Sequence, residues 1–77
     1  MNFSHFPVFG NIRSLFKKAS KRKLVLYHRG YLYVDRMNSE DLDFGASYIY
    51  RKAKAGECIL VQKRQGEFDY CYYFAKT

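Results

Sequence analysis

Residue types that define several common classes of small protein are scarce in this chain. Its 77 residues include two cysteines, one proline and no tryptophan. Two cysteines are too few for the disulfide framework that stabilises many small secreted domains. No apolar run approaches the roughly 20 residues that a membrane-spanning helix needs. The composition therefore excludes a disulfide scaffold and predicts no membrane partner.

The N-terminal residues also lack the features of a secretory signal. Residues 2–11 include apolar side chains, but they have no basic region and no continuous apolar core. We therefore expect an intracellular protein, cytoplasmic or, in a eukaryotic host, nuclear. Thiols stay reduced in those compartments, so free cysteines are the expected state.

Acidic residues are the next scarce group. The chain has 7 Asp and Glu against 14 Lys and Arg, which gives a formal net charge of +7. An excess of positive charge this large in so short a chain favours an anionic partner. Nucleic acid and an acidic protein are the two partners that we expect from it.

Aromatic residues, in contrast, are abundant. They make up 19% of the chain, with eight tyrosines and seven phenylalanines. Each aromatic side chain buries a large area, so a short chain rich in them can form a core without disulfides or a metal. The length and the composition predict one globular domain.

Periodicity predicts one short helix followed by an antiparallel sheet. Ile12, Leu15 and Phe16 recur at helical spacing. After residue 24, β-branched and aromatic residues dominate, and the segments HRG, KAGE and RQGE are typical of tight turns. We expect a β-rich α+β fold in a single domain over 1–77: an irregular arm over 1–9, a helix over 10–19, and a sheet of four or five strands over 24–76.

Alternation along the last predicted strand places apolar side chains on both of its faces. Phe68, Tyr70, Tyr72 and Phe74 share one side, and the residues between them share the other. One helix cannot cover two faces of a sheet. We therefore expect a tyrosine-rich face that stays partly open, which is a binding signal.

Basic residues form two groups in the sequence. The first group runs from Arg13 to Lys23, over the predicted helix and the entry to the sheet. The second group is Arg51, Lys52 and Lys54. Together with Lys63 and Arg64 it lies on two predicted adjacent strands, whose pairing would gather these residues into one patch. Such side chains release counterions from nucleic acid. A solvated surface, with cations at a helix C-terminus, is the alternative interpretation. The candidate nucleic-acid-binding residues are Arg13, Lys17, Lys18, Lys21, Arg22, Lys23, Arg51, Lys52 and Lys54.

A candidate aromatic face accompanies the basic groups. Tyrosines beside Lys and Arg can stack on unpaired bases or grip another protein. A half-buried cross-strand ladder is the alternative interpretation for most of them. The candidate residues of this face are Tyr31, Tyr33, Tyr48 and Tyr50.

Metal binding has little support in the spacing. His5, His28, Cys58 and Cys71 provide the number of ligands that a tetrahedral zinc site needs. However, no two cysteines lie two to four residues apart, and neither histidine has a near partner. We expect no metal and no cofactor, with each cysteine serving as a small buried side chain.

The two cysteines can pair in only one of two predicted registers. If the last hairpin loop spans residues 63–66, Cys58 lies opposite Cys71. If residues 65–66 alone form the turn, Leu60 lies opposite Cys71. A disulfide requires the first register, and free thiols are the expectation.

Catalytic signatures are also missing, so we expect no catalytic residues and no enzyme activity. No nucleophile signature and no glycine-rich phosphate loop is present. Small basic ribonucleases pair His, Arg and Tyr on a sheet, and His28, Arg29 and Tyr31 fit that composition. A hairpin turn is the alternative interpretation of the same segment.

Three segments follow a familiar order: KRKLVLYHRGYLYVDR, then ASYIYRK after an insertion, then GECILVQK. Over residues 21–61 the chain resembles the FLYWCH zinc-finger domain and, more distantly, the related WRKY and GCM domains. Tyr31 and Tyr33 match the aromatic pair of its leading strand. The resemblance implies a four- or five-stranded antiparallel sheet that binds zinc and, often, DNA.

The zinc ligands of that family are mostly replaced. Tyr50 lies where the family has tryptophan, Lys52 where it has the first cysteine, and Cys58 where it has the second. The last strand, FDYCYYFAKT, has no His-x-His. The resemblance therefore implies a zinc-free relative whose aromatic core replaces the metal.

These observations predict a small, basic, non-enzymatic protein that binds nucleic acid, with DNA favoured over RNA, and that has a regulatory role. The alternative is a small regulator or inhibitor, of the kind encoded by phages and mobile elements, that binds a partner protein through an exposed aromatic sheet face. A small ribonuclease is a lesser alternative.

Overall fold

The computed structural model describes the backbone of residues 9–77 and the side chains from residue 12 onward. The predicted arm over 1–9 therefore lies outside the described residues, except for Phe9, which begins the first helix. The elements in chain order are α1 (Phe9–Lys18), β1 (Val25–Gly30), α2 (Leu32–Asn38), α3 (Glu40–Lys54), β2 (Cys58–Gly66) and β3 (Asp69–Lys76).

The three strands form one antiparallel sheet in the order β1-β3-β2, with β3 in the centre. Gly66 pairs with Asp69, so Glu67 and Phe68 form the turn of the β2–β3 hairpin, and Phe68 takes a positive φ of 56°. The turn therefore begins directly after Gly66, whereas both predicted turns end at that residue.

The predicted α+β class and the antiparallel sheet are confirmed, but the predicted single helix and the predicted four or five strands are wrong. The described part of the chain has three strands, because the segment between residues 32 and 54 forms helices α2 and α3. The helix over 10–19 is confirmed with bounds one residue earlier, whereas the sheet proposed over 24–76 is interrupted.

Helix α3 forms because its buried residues follow a helical period. Leu42, Ala46 and Ile49 all point into the core. Ser39 caps the N-terminus, since its Oγ accepts a hydrogen bond from the Leu42 amide at 3.2 Å. Acidic side chains occupy the first turn and basic ones the last, which complements the helix dipole. These signals outweigh the β-propensity of the Tyr-Ile-Tyr segment.

The core lies between the helices and one face of the sheet. Ile12 of α1, Ile49 of α3 and Phe74 of β3 are fully buried there. Helix α1 packs closely on α3 at Gly45, where an added Cβ would lie 2.5 Å from Ile12 Cδ1. This contact fixes the position of α1 and therefore of its basic C-terminus. None of the described helices is long and apolar enough to cross a membrane.

The sheet face opposite the helices is not covered by any described helix. Ile59 and Val61 of β2 lie on this face, with Leu24 and Leu26 of the first strand region, and their exposed fractions range from 37% to 59%. The covered face is the tyrosine-rich one, with Tyr72 and its neighbours against the helices. The prediction that the open face is rich in tyrosine is therefore wrong, because the aromatic face of the sheet packs against the helices and forms the core.

The two cysteines are buried free thiols on opposite faces of the sheet. Cys58 pairs with Lys76, and Cys71 pairs with Lys63, so neither predicted register occurs. Cys58 belongs to the core against the helices, and burial raises the pKa of its thiol. Their positions exclude a disulfide between them without unfolding.

Tyr27 of β1 is a buried group whose ionisation makes the stability of the fold depend on pH. It is 6% exposed, and its ring centroid lies 6.1 Å from that of Phe74. Burial, followed by the neighbouring Tyr72, raises the pKa of Tyr27 to about 12. In the unfolded chain a tyrosine ionises near pH 10.

The unfolded state therefore loses this proton first as the pH rises. The contribution of the protonated Tyr27 is complete below about pH 10 and falls towards pH 12 by about 1.4 kcal/mol per pH unit. We expect urea unfolding to show this loss in the wild type and a smaller loss in Tyr27→Phe, which cannot ionise at this position. An identical pH dependence in both proteins would contradict the burial of this hydroxyl.

Candidate nucleic-acid interface

Helices α1 and α3 run in roughly the same direction. Ile12 packs on Gly45, and one turn later the ring of Phe16 meets the ring of Tyr48 edge-on, with 5.9 Å between their centroids. Because contacts advance together along both helices, the two C-termini lie at the same side of the molecule. Each C-terminal turn is basic.

The segment between α1 and β1 lies at this same side. Lys21 forms a parallel bridge with Lys76, and the Arg22 amide donates a 2.8 Å hydrogen bond to the Lys76 carbonyl. The Thr77 amide donates a 3.2 Å hydrogen bond to the carbonyl of Glu57 in the turn between α3 and β2, which ties the end of β3 to the segment that follows α3. We call this region the basic end; it consists of Lys17, Lys18, Lys21, Arg22, Lys23, Arg51, Lys52, Lys54 and Lys76.

Several of these cations rest on aromatic rings. Lys76 Nζ lies 4.9 Å from the centroid of Phe16, and Lys52 Nζ lies 5.5 Å from that of Tyr48. Arg13 Cζ of α1 also lies 5.8 Å from the Tyr48 centroid. Cation–π contacts and apolar packing hold these long side chains close to the surface. The positive charge is therefore partly preorganised.

Acidic side chains are nearly absent from the basic end. Among the described residues only Glu57 lies there, with its Oε1 3.5 Å from Lys52 Nζ. Other carboxylates pair away from it, such as Asp43 with Arg36 at 2.8 Å and Asp69 with Arg29 at 3.0 Å. Charges of one sign that cluster without neutralising partners create a positive potential that attracts anions.

The structure thus brings the predicted basic residues together, except for Arg13, which lies over Tyr48 one turn before the end of α1, but it does so by a different route. Arg51, Lys52 and Lys54 join the first group because they end a helix that is parallel to α1, not because of strand pairing. Lys63 and Arg64 lie towards the far end of β2, opposite Cys71 and Tyr70, and are separate from them. Lys76 was not among the candidates. Its position at the end of the last predicted strand is the sequence feature that could have identified it as part of this basic region.

The four predicted tyrosines do not share one face. Tyr48 and Tyr50 lie on α3, where a spacing of two residues places them on different sides of a helix. Tyr31 precedes α2 and Tyr33 lies within it, 6.2 Å apart by ring centroids. The prediction of a single aromatic face is wrong, because it assumed the alternation of a strand.

A cleft of about 590 Å³ lies beside Tyr31 and Tyr33, between α2, the start of α3 and β2. Arg36 in its wall donates from Nε to Asp43 Oδ1 at 2.8 Å and from Nη2 to Ser47 Oγ at 2.9 Å. The Leu32 amide donates to the hydroxyl of Tyr72 at 3.0 Å. We call it the tyrosine cleft; its lining consists of Tyr31, Leu32, Tyr33, Arg36, Met37, Asp43, Gln62 and Tyr72.

The three residues of the ribonuclease alternative do not converge. His28 Nε2 lies 2.8 Å from Asp35 Oδ2, which also accepts a hydrogen bond from the Tyr31 amide at 3.1 Å. Arg29 is adjacent in β1 and forms a two-bond ion pair with Asp69 of β3. Each of these contacts joins neighbouring elements, so the geometry gives His28 and Arg29 structural partners instead of a shared substrate position.

The described residues contain no group of three or more His, Cys, Asp or Glu side chains that could hold a metal ion. His5, one of the four potential ligands, lies outside those residues. The absence of a metal and of a cofactor stays a prediction.

No protein-family model, curated protein or solved structure matches this chain. The resemblance to the FLYWCH domain stays a prediction that these comparisons do not test. The strands that it implied over YLYVDR and ASYIYRK are helical in this fold.

Proposed function

We propose that this chain is a non-enzymatic nucleic-acid-binding protein whose basic end contacts phosphate groups. The observation that supports it is the convergence of two basic helix C-termini and a basic linking segment, where Glu57 is the one acidic side chain among the described residues. DNA is proposed ahead of RNA because the resemblance to the FLYWCH domain implies DNA.

The cations at the basic end exceed what the two helix termini need. Each helix C-terminus carries a partial negative charge equivalent to about half an elementary charge, which one or two cations offset. Lys21, Arg22 and Lys23 lie outside both helices, so their charge remains available to a ligand. Each phosphate that such a side chain neutralises releases counterions, and this release drives binding to a polyanion.

Fluorescence anisotropy with a labelled duplex of about 20 base pairs tests the proposal directly. We expect binding at low salt to both DNA and RNA duplexes of the same sequence, with the DNA duplex bound more tightly. Binding to neither duplex at low salt would contradict the proposed function, and tighter binding of RNA would contradict the preference for DNA.

A second candidate function rests on the open face of the sheet, which we define by Leu24, Leu26, Ile59, Val61, Tyr73 and Ala75. Exposed aliphatic side chains at the start of β1 and on β2, the two edge strands on either side of β3, form an apolar surface of the kind found at protein interfaces. Arg22 and Lys63 lie at its borders. A partner with an apolar segment flanked by acidic residues complements both the apolar centre and the basic border.

Two substitutions at neighbouring positions separate this surface from the rest of β2. Val61→Glu introduces an acidic side chain on the open face, whereas Gln62→Glu introduces the same group on the opposite face of the same strand. Selection from a random-peptide display library with the wild-type chain as bait should enrich apolar peptides with flanking Asp or Glu.

We expect Val61→Glu to lose at least tenfold in affinity for the enriched peptides, which is the effect of losing about 1.4 kcal/mol at an interface. Gln62→Glu should retain their affinity. Equal losses in the two variants, or no enrichment of acidic peptides, would contradict a role for the open face. Nuclease treatment of the bait excludes binding through nucleic acid.

A further inference from the structure

We propose that the tyrosine cleft binds one unpaired nucleobase, so that the protein has a second contact with nucleic acid that is separate from its basic end. This inference rests on the proposed function for its biological setting, but the cleft is defined by its own geometry. Its volume of about 590 Å³ lies within the range of about 300–1,000 Å³ that is typical of ligand sites.

The aromatic wall of the cleft combines a supported ring with an exposed one. The ring of Tyr31 lies 5.2 Å from that of Phe68 and stacks on Tyr70 at 6.2 Å with an interplanar angle of 28°. Tyr33 is 68% exposed on the adjacent side, as is Met37 one turn later on α2. An exposed ring held beside an immobilised one provides a surface on which a flat heterocycle can stack.

The polar groups of the cleft favour a base over a phosphate. The guanidinium of Arg36 is already paired with the carboxylate of Asp43, and that carboxylate lies in the same lining. A phosphate would be repelled by Asp43 and would meet a cation that is already neutralised. A heterocycle edge, which carries both donors and acceptors, suits such a pair.

Gln62 supplies a further group on the opposite wall. Its side chain is exposed, and no hydrogen bond joins its side-chain amide to another described residue. The amide can both donate to and accept from the edge of a base. Stacking on tyrosine and hydrogen bonds to Arg36, Asp43 and Gln62 together match a purine or pyrimidine, with the larger purine ring giving more stacking area.

A base can enter the cleft only when it is unpaired. In a duplex both faces of each base are stacked on the neighbouring bases, so no face is available to a protein ring. The base-pairing edge is also occupied, because it is hydrogen-bonded to the opposite strand. The tyrosine cleft therefore adds affinity for single strands and leaves affinity for duplexes unchanged. This difference separates it from the basic end, which contacts phosphates of either form.

Two exposed tyrosines on helices provide a matched pair of variants. Tyr33→Ala removes the exposed ring of the cleft, while Tyr50→Ala removes a ring of α3 that is 55% exposed and does not line it. Affinities for a ten-nucleotide single-stranded DNA and for a DNA duplex are measured by fluorescence anisotropy. Titrations of the wild-type chain with AMP, CMP and glucose, followed by NMR, identify the ligand class.

We expect Tyr33→Ala to weaken single-strand binding by about 5- to 160-fold, the effect of losing one stacked base, and to leave duplex binding unchanged. The ring of Tyr50 lies 5.6 Å from Lys54 Nζ of the basic end, so Tyr50→Ala should change single-strand and duplex binding by the same factor and leave their ratio unchanged. AMP should shift the NMR signals of Tyr33 and Gln62 saturably. An unchanged single-strand affinity in Tyr33→Ala, an equal loss for duplex DNA, or saturation by glucose and not by AMP would overturn the inference. If the wild-type chain does not bind duplex DNA, this result would contradict phosphate binding by the basic end, but not base binding by the tyrosine cleft.

Discussion

The double variant Lys21→Glu/Lys23→Glu is expected to bind duplex DNA at least tenfold more weakly than the wild type at about 0.1 M salt. Both side chains are exposed and lie in the segment between α1 and β1, outside either helix. Replacing two cations by two carboxylates removes attraction and adds repulsion at the centre of the basic end. A helix dipole is not involved, so the substitutions should change binding without a comparable loss of stability.

The double variant Lys63→Glu/Arg64→Glu is the matched control. It makes the same change in net charge, but both residues lie towards the other end of β2. We expect at most a threefold loss from the general reduction in positive charge, because screened charges a Debye length or more from the ligand contribute little. Equal losses in the two variants would show that net charge, and not the basic end, determines binding.

The substitution Gly45→Val is expected to destabilise the fold by about 1–3 kcal/mol, the usual effect of overpacking a tight core. A Cβ at this position would lie 2.5 Å from Ile12 Cδ1 and 3.1 Å from Ile12 Cβ. Ile12 is fully buried, so it has no room to move away. The added methyl groups of valine would press further between α1 and α3.

Gly66→Val serves as the control for Gly45→Val. No heavy atom lies within 4 Å of a Cβ built at Gly66. We expect its free energy of unfolding in urea to stay within about 0.5 kcal/mol of the wild type. Wild-type stability in Gly45→Val would contradict the close packing of α1 on α3, and with it the position of the basic end.

The local features of the fold could be predicted from the sequence. Ile12 and Phe16 indicate α1, and the hairpin of β2 and β3 is indicated by aliphatic and aromatic residues around a glycine. Helix α3 carries a capping serine and a helical period, but the alternation of Tyr48 and Tyr50 with Ile49 favours a strand by propensity. Tertiary packing of Ile49 against the sheet decided between these two signals.

The arrangement of the candidate site depends on contacts between distant residues. The sequence identifies the basic residues as candidates, but their convergence follows from Gly45 admitting Ile12 and from Lys21 meeting Lys76. No local pattern encodes either contact. The tyrosine cleft was missed for the same reason, since it combines Tyr33 of α2 with Gln62 of β2 across the fold.

The salt dependence of duplex DNA binding by the wild-type chain tests the central claim most directly. If the basic end neutralises about five to nine phosphates, the logarithm of the association constant should fall linearly with the logarithm of salt concentration, with a slope of about −4 to −8. A slope near zero, or no detectable binding at about 20 mM salt, would contradict a nucleic-acid-binding role for the basic end.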